Sequence, residues 1–330
     1  MKILHAGMSR REMLAATGAS VLGASFGGFN AALAATSIRQ GYQTNMWGMP
    51  TYYLVKSGLL EKHGIDVKEF PVPSGNLTMQ QMVARQVDLG TYAGPSFIIG
   101  HSKGGLLAIS VIENVGKTAR VMARKDLGIT EVKQLKGKKI ANQTGSSTGN
   151  IFVNQIMPKA GLDKGDYQEI RTNVNDMVAA MAAKTVDAMV CVEPYNSIAE
   201  ADGLAVTLVD FYTFDKLPVF MAATPEFVDK NGDAIVSYLK AWLEVAKDFK
   251  EKPDHVADVV YKFYGTKGYK MSRETFNKAF GRVEVAPGWP EGLQEYMTGH
   301  AKVLIEAKRI KAVPDWSKAL RPEFMKKAMA

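Results

Sequence analysis

Apolar positions fall into alternating strand-like runs and helix-spaced stretches from Ile38 to about Ala223, then keep a helical period to the end of the chain. Ile38 lies in a first strand that leads into the loop Gln43 to Met49. Pro50 opens a helix that closes near His63 and Gly64, with proline at the start and glycine past the end. Ile65 and Val67 alternate with polar neighbours as a second strand, and Pro71, Pro73, Ser74 and Gly75 form the turn after it. Further strands are predicted at Leu106 to Val111, Ala119 to Ala123, around Ile140 and Ala141, Tyr167 to Thr172, Leu204 to Val209 and Val219 to Ala223, with a helix over Thr148 to Ala160. Beyond Pro225 the pattern gives helices at Asp233 to Lys250, His255 to Tyr264, Arg273 to Phe280 and Pro290 to Ile310. The order is that of an α/β protein with a helical C-terminal tail.

One phrase occurs twice. Ala84-Arg85-Gln86-Val87-Asp88, followed by Pro95, returns as Ala183-Lys184-Thr185-Val186-Asp187, followed at the same distance by Pro194. In both copies a helical run, with Met82 and Val83 or with Met177, Val178 and Met181, passes through Val-Asp into a short apolar segment. A long-range echo of this kind predicts two similar α/β units, hence two lobes. In open α/β sheets the ligand crevice lies beyond the carboxyl ends of the strands, here the loops Thr91 to Pro95 and Val192 to Tyr195. The tail is too helical for a third α/β unit and is expected to pack back on the first lobe. The predicted organisation is residues 1–34 as an export signal, 35–123 as the first part of lobe 1, 124–217 as lobe 2, and 218–330 as the return to lobe 1. The two chain crossings are placed near Val121 to Lys125 and Phe211 to Ala223.

The loop Asn142 to Asn150 follows a predicted strand and opens a helix, and it holds Gln143, Thr144, Gly145, Ser146, Ser147, Thr148 and Gly149. Free backbone N–H groups and hydroxyls at a helix start suit a carboxylate, sulfonate or phosphate. Plain N-capping by serine or threonine is the alternative. The same loop reads G-x-S-x-G around Ser147, the pattern of a secreted esterase's nucleophile. Asp187 or Asp210 with His255 or His300 are the available partners, yet both histidines read as surface residues and no oxyanion loop is evident. Trp47, Tyr92, Tyr195, Phe211 and Tyr212, with Met46 and Met49, lie in or beside strand-end loops and could wall an organic ligand. Gln43, Asn45, Asn76 and Glu193 could orient it. Each aromatic could equally be core, and Glu193 could instead pair with a hinge cation.

Composition narrows the classes further. Ser9-Arg10-Arg11-Glu12-Met13-Leu14 precedes a mild Ala- and Gly-rich stretch ending in Ala32-Leu33-Ala34, which fits a twin-arginine export signal, with the general secretion route as alternative. Gly18, Ser20, Gly23, Ser25, Gly27 and Gly28 make that stretch too polar for a membrane anchor. The chain has 330 residues and a formal charge of +8, which removal of Lys2, Arg10, Arg11 and Glu12 lowers by two. Its cations are spread evenly, without the dense block or aromatic signature of a nucleic-acid binder. Cys191 is the sole cysteine, so no internal disulfide forms, and it sits in the apolar run Ala188 to Val192. His63, His101, His255 and His300 lack ligand spacing, and no metal or cofactor is predicted.

The segments "PTYYLVKSGLLEKHGIDVKEF", "ARQVDLGTYAGP", "VKQLKGKKIANQTGSSTGN" and "AAKTVDAMVCVEP" together resemble the periplasmic solute-binding proteins of ABC importers in the nitrate, sulfonate and taurine group, with their thiamine-precursor-binding relatives. The resemblance implies a type II periplasmic binding fold, two α/β lobes joined by a two-stranded hinge, and no enzymatic activity. It implies a small organic anion as solute, a membrane permease and its ATPase as partners, a periplasmic location and a monomer. The family's contact regions fall on Asn45, Met46, Trp47, Gly48 and Met49; on Ser74, Gly75 and Asn76; on Thr91, Tyr92 and the loop on to Pro95; on Gln143, Thr144, Gly145, Ser146, Ser147 and Thr148; and on Glu193 with Pro194. Tyr195 and Phe211 are added as neighbouring aromatics. Met46, Trp47 and Met49 favour an organic body over a bare inorganic anion, while some relatives bind neutral pyrimidines.

Overall fold

The computed structural model describes residues 36–330, so the expected export signal lies outside the described residues. Eleven strands occur among the described residues: β1 (Thr36–Gln43), β2 (Ile65–Val72), β3 (Leu89–Ala93), β4 (Leu107–Asn114), β5 (Ala119–Arg124), β6 (Lys139–Asn142), β7 (Gln168–Arg171), β8 (Ala188–Val192), β9 (Ala205–Asp210), β10 (Pro218–Ala223) and β11 (Glu284–Gly288). They form a six-stranded sheet ordered β11-β4-β10-β3-β1-β2 and a five-stranded sheet ordered β7-β6-β8-β5-β9. In the first, β1 runs parallel to β2 and β3 while β10 is antiparallel to β3 and β4. In the second, β6 runs parallel to β7 and β8 while β5 is antiparallel to β8 and β9. The orders β2-β1-β3-β10-β4 and β7-β6-β8-β5-β9 are therefore the same plan used twice. In each, the antiparallel slot is filled by the strand that has just crossed from the other lobe.

The repeated phrase has the same structural role in both copies. Arg85 and Lys184 each end a helix with a positive φ, 60° and 55°, a conformation that costs a side-chain-bearing residue roughly 1–2 kcal/mol. The aspartates that follow then pin the new strand to its parallel neighbour, β1 in the first lobe and β6 in the second. Asp88 N–H donates to Arg39 O at 2.8 Å and its carboxylate accepts from Arg39 N–H at 2.9 Å; Asp187 does the same with Lys139 at 2.7 and 2.9 Å.

The crossings are short and paired. Val115–Thr118 leads from β4 to β5, and Phe211–Leu217 returns from β9 to β10. Val115 N–H donates to Leu217 O at 3.1 Å and Gly116 N–H to Lys216 O at 2.9 Å. A Cβ at Gly116 would lie 2.4 Å from Asp215 O, so only glycine lets the two segments approach this closely. The first crossing precedes the expected Val121 to Lys125, and β5, assigned from sequence to lobe 1, lies in the second sheet. Apolar alternation marks a strand without saying which sheet it joins.

The C-terminal helices cover the first sheet. Gly232–Glu251 buries Ile235, Tyr238, Leu239, Trp242 and Val245, one stripe at helical spacing. Tyr238 OH donates to Gln40 Oε1 at 2.7 Å from this stripe. The helix predicted over Pro290 to Ile310 is shorter, Leu293–Glu306, bounded by Gly292 at φ 72° and Lys308 at φ 56°. The stretch Thr148 to Ala160 is helical but contains a π-helical turn at Phe152–Ile156. No helix among the described residues is long and apolar enough to cross a membrane.

Candidate functional site

The carboxyl ends of the parallel strands in the two sheets face one another across a closed cleft. From the first lobe, Asn45 and Trp47 follow β1, Ser74, Gly75 and Asn76 follow β2, and Ala93 and Ser96 sit at the end of β3. From the second, Gln143 and Ser146 to Thr148 follow β6, Val174 follows β7, and Val192 ends β8. Strand-end loops gather here because parallel strands all present their carboxyl ends to one edge.

Each wall is fixed by its own hydrogen bonds. Asn45 Oδ1 accepts from Trp47 N–H at 3.0 Å and starts the tight turn Met46–Gly48, while its Nδ2 donates to Pro73 O at 3.2 Å. Trp47 Nε1 donates to Thr118 Oγ1 at 2.6 Å, tying the indole to the first crossing. Gln43 Nε2 donates to Thr91 O at 2.6 Å and Gln43 Oε1 accepts from Thr91 Oγ1 at 2.8 Å, bracing β1 against β3 beneath the cleft. In the second lobe Ser146 Oγ accepts from Gly149 N–H at 3.0 Å and caps the helix Ser147–Ile151.

Three contacts join the walls. Ser147 Oγ accepts from Ser96 N–H at 3.2 Å and lies 3.0 Å from Ser96 Oγ. Gln143 Nε2 donates to Ser74 Oγ at 3.1 Å. Met46 N–H donates to Glu193 O at 3.0 Å. The space left between the walls is about 20 Å³, enough for about one water. A larger molecule reaches these groups only if the lobes part. None of the described lining residues is ionisable; the surface combines amides and hydroxyls with Trp47, Ala93, Val174 and Val192.

Nine of the residues singled out from sequence line this cleft: Asn45, Trp47, Ser74, Gly75, Asn76, Gln143, Ser146, Ser147 and Thr148. The others, Gln43 and the exposed Tyr212 among them, do not. Met46, Gly48 and Met49 are buried in the first lobe beside Trp47. Thr91 faces Gln43, and the fully buried Tyr92 donates to Met82 Sδ at 3.3 Å, with burial pushing its phenol well above the usual range. Thr144 bonds the Glu169 carboxylate on the far side of its loop. Phe211 is core at the second crossing. Tyr195 OH lies 2.9 Å from Tyr269 OH. Glu193 is fully buried against Arg120 and Arg282, at 3.3 and 2.9 Å. Burial raises its carboxyl above the usual range, and the two guanidiniums oppose that shift. These side chains miss the cleft because strand-end aromatics turn toward the covering helices, where apolar surface is removed from water.

Ser96 and Val174 were not singled out beforehand, and Ala93 and Val192 were covered only as parts of the crevice loops Thr91 to Pro95 and Val192 to Tyr195. The repeat held the signal for two of them: Ala93 and Val192 both stand five residues after the repeated aspartate, at the last position of β3 and β8. Ser96 follows Pro95 directly.

The esterase pattern meets a different environment from the one it requires. Ser147 Oγ is partnered by Ser96, and among the described residues no histidine is a hydrogen-bond partner. His300, expected at the surface, is buried, with Nε2 2.8 Å from Asp215 Oδ2, and Tyr296 OH donates to the same carboxylate at 3.0 Å. It belongs to the inner stripe Leu293, Met297, His300, Ala301 and Leu304 of its helix. Cys191 is buried and its thiol is pushed up to about 12 by burial. No cluster of three metal-ligating side chains occurs among the described residues.

Two α/β lobes of like topology, closed over a polar cleft at their strand ends, define the class of periplasmic binding folds. The chain belongs to the NMT1/THI5 like family, whose model matches residues 45–256. A protein of Brucella abortus (strain 2308), named as a binding protein, is 29% identical over 286 residues, covering 84% of this chain and 88% of its own. A protein of Brachyspira hyodysenteriae, named as an ABC transporter periplasmic binding protein, is 24% identical over 273 residues, covering 77% and 76%. The crystal structure of the periplasmic aliphatic sulphonate binding protein SsuA from Escherichia coli superposes with a TM-score of 0.74 at 22% identity, covering 87% of this chain and 92% of that one.

Proposed function

We propose that the protein is the periplasmic solute-binding component of an ABC importer, which captures a small organic anion by closure of its lobes and presents it to a permease. The observation that carries this reading is the pairing of Ser147 with Ser96 and of Gln143 with Ser74 across the cleft. A solute bound between those groups replaces direct lobe-to-lobe bonds with bonds through itself, and only groups that meet it better in the closed form can drive closure. Amide and hydroxyl donors suit a sulfonate or carboxylate, and Trp47, Val174 and Val192 suit an organic body. The names of the relatives support the same class. Export by the twin-arginine route, action as a monomer, delivery to a permease energised by a separate ATPase, and the absence of catalysis belong to this reading.

The test is a thermal-shift titration of protein unfolded and refolded to remove carried-over solute, against alkyl and aryl sulfonates, carboxylates, nitrate and neutral pyrimidines. A solute at about 100 times its Kd adds roughly 2.7 kcal/mol to the folded state. A selective, saturable rise in Tm with a sulfonate or carboxylate supports the proposal. A rise only with pyrimidines would replace the anion by a neutral ring. No rise with any of them, together with ester hydrolysis abolished by Ser147→Ala, would replace the binding protein by a hydrolase.

A further inference from the structure

A second cavity, of about 190 Å³, lies behind the cleft, on the other face of the loop that carries Gln143 to Gly149. Its floor is Asn142, the last residue of β6, fully buried, with neither Oδ1 nor Nδ2 partnered among the described residues. An unpaired buried amide is costly, and in native proteins it ordinarily has a partner. The space above it is kept open by Gly149, where a Cβ would come within 2.6 Å of Gln143 O and 3.1 Å of Asn142 Oδ1.

Two cations border the cavity. Lys164 comes from the second lobe, and Arg309 from the segment after the helix Leu293–Glu306, on the first lobe. The Arg309 guanidinium lies against the loop, with Nη1 2.7 Å from where a Cβ on Gly145 would stand. Neither Lys164 nor Arg309 has an ion pair among the described residues. The one carboxylate on the rim, Glu169, already accepts from Thr144. The rim thus offers two unneutralised cations over an amide that can both donate and accept.

We propose that this cavity binds a small oxyanion that carries its own O–H, of the hydrogen phosphate type. Arg309 and Lys164 hold the anionic oxygens, Asn142 Nδ2 donates to one of them, and Asn142 Oδ1 accepts from the O–H. A fully deprotonated oxyanion satisfies only the donors. Because Arg309 and Asn142 belong to opposite lobes, occupancy favours the closed form and couples to solute binding in the cleft. This site uses none of the cleft-lining groups, so it stands independently of the solute's identity.

Calorimetric titration of the refolded protein with inorganic phosphate, and with sulfate for comparison, tests the proposal. One phosphate per chain is expected, bound several-fold tighter than sulfate. Arg309→Gln and Lys164→Gln should each weaken phosphate about tenfold or more, the loss of one charged hydrogen bond, while Ser147→Ala, which acts only through lobe closure, weakens it less than either. Absence of saturable phosphate binding would overturn the site, leaving a water-filled cavity. Loss of phosphate binding in Ser147→Ala with retention in Arg309→Gln would overturn it in favour of the main cleft. Equal affinity for sulfate would overturn the role given to the O–H.

Discussion

Arg282 Nη1 donates to Glu193 Oε1 at 2.9 Å and so ties the helical return of the first lobe to the residue that follows β8 in the second. Glu193 is fully buried, also faces Arg120 at 3.3 Å, and its backbone carbonyl accepts from Met46 N–H. A second link runs beside it, with Lys278 Nζ on Glu200 at 2.9 Å and Arg120 on the same carboxylate at 3.0 Å. The lobes are held not only at the cleft but by an ionic cluster away from it. Removing Arg282 leaves Glu193 buried with one cation fewer. Arg282→Ala should lower stability by about 2 kcal/mol and weaken solute binding, measured by denaturant unfolding and by thermal-shift titration.

Glu113, at the end of β4 beside the first crossing, is fully buried with no side-chain partner among the described residues, and burial raises its carboxyl well above the usual range. The folded protein therefore keeps a proton that the unfolded chain releases above about pH 4.5. Stability should be greatest, as far as this group decides it, below that pH, and fall as pH rises toward the folded value by up to about 1.4 kcal/mol per unit. Glu113→Gln keeps the shape without the ionisation. It should match the parent near pH 4, exceed it at pH 8, and flatten the profile of unfolding free energy against pH.

Trp47 is buried and bonded to Thr118, so truncation to alanine should cost about 3–5 kcal/mol and confound any reading of affinity. Trp47→Phe keeps an aromatic wall while removing the N–H and the second ring. It should leave a thermal shift with solute while reducing stability by about 1–2 kcal/mol, because Thr118 then loses its donor. Ser147→Ala should weaken the solute by about tenfold with little change in the melting of the solute-free protein.

Much of this arrangement could be read from the chain. The repeated Val-Asp step marks the same junction in both lobes, since Asp88 and Asp187 meet the parallel neighbours β1 and β6 in the same way, and the loops after Gln43, Val72 and Asn142 carry polar residues that line the cleft. Other parts were hidden for physical reasons. Strand β11 is a five-residue edge containing Pro287 and Gly288, which has no alternation to detect. Whether β5 joins the first or second sheet depends on the four-residue link Val115–Thr118 and on long-range pairing that no local pattern encodes. Tyr92, Tyr195 and Phe211 stand at strand ends as a ligand wall would, yet packing against their own lobes or the neighbouring helices removes more apolar surface. The burial of Glu193 between two arginines depends on Arg120 and Arg282, which lie far from it in sequence.

If solute binds between two lobes that have to part, as proposed, Ser96 and Ser147 give direct control of the parting. Their hydroxyl oxygens lie 3.0 Å apart across the cleft, and Cys191, the chain's own thiol, is buried away from solvent. The double variant Ser96→Cys with Ser147→Cys should form a disulfide that holds the lobes together. The measurement is the thermal shift given by the solute found in the panel, before and after reduction. Solute added to the oxidised protein should give no shift, and reduction of the disulfide should restore a saturable one. An oxidised protein, shown by mass to carry the bond, that still binds solute as the reduced one does would contradict the proposal.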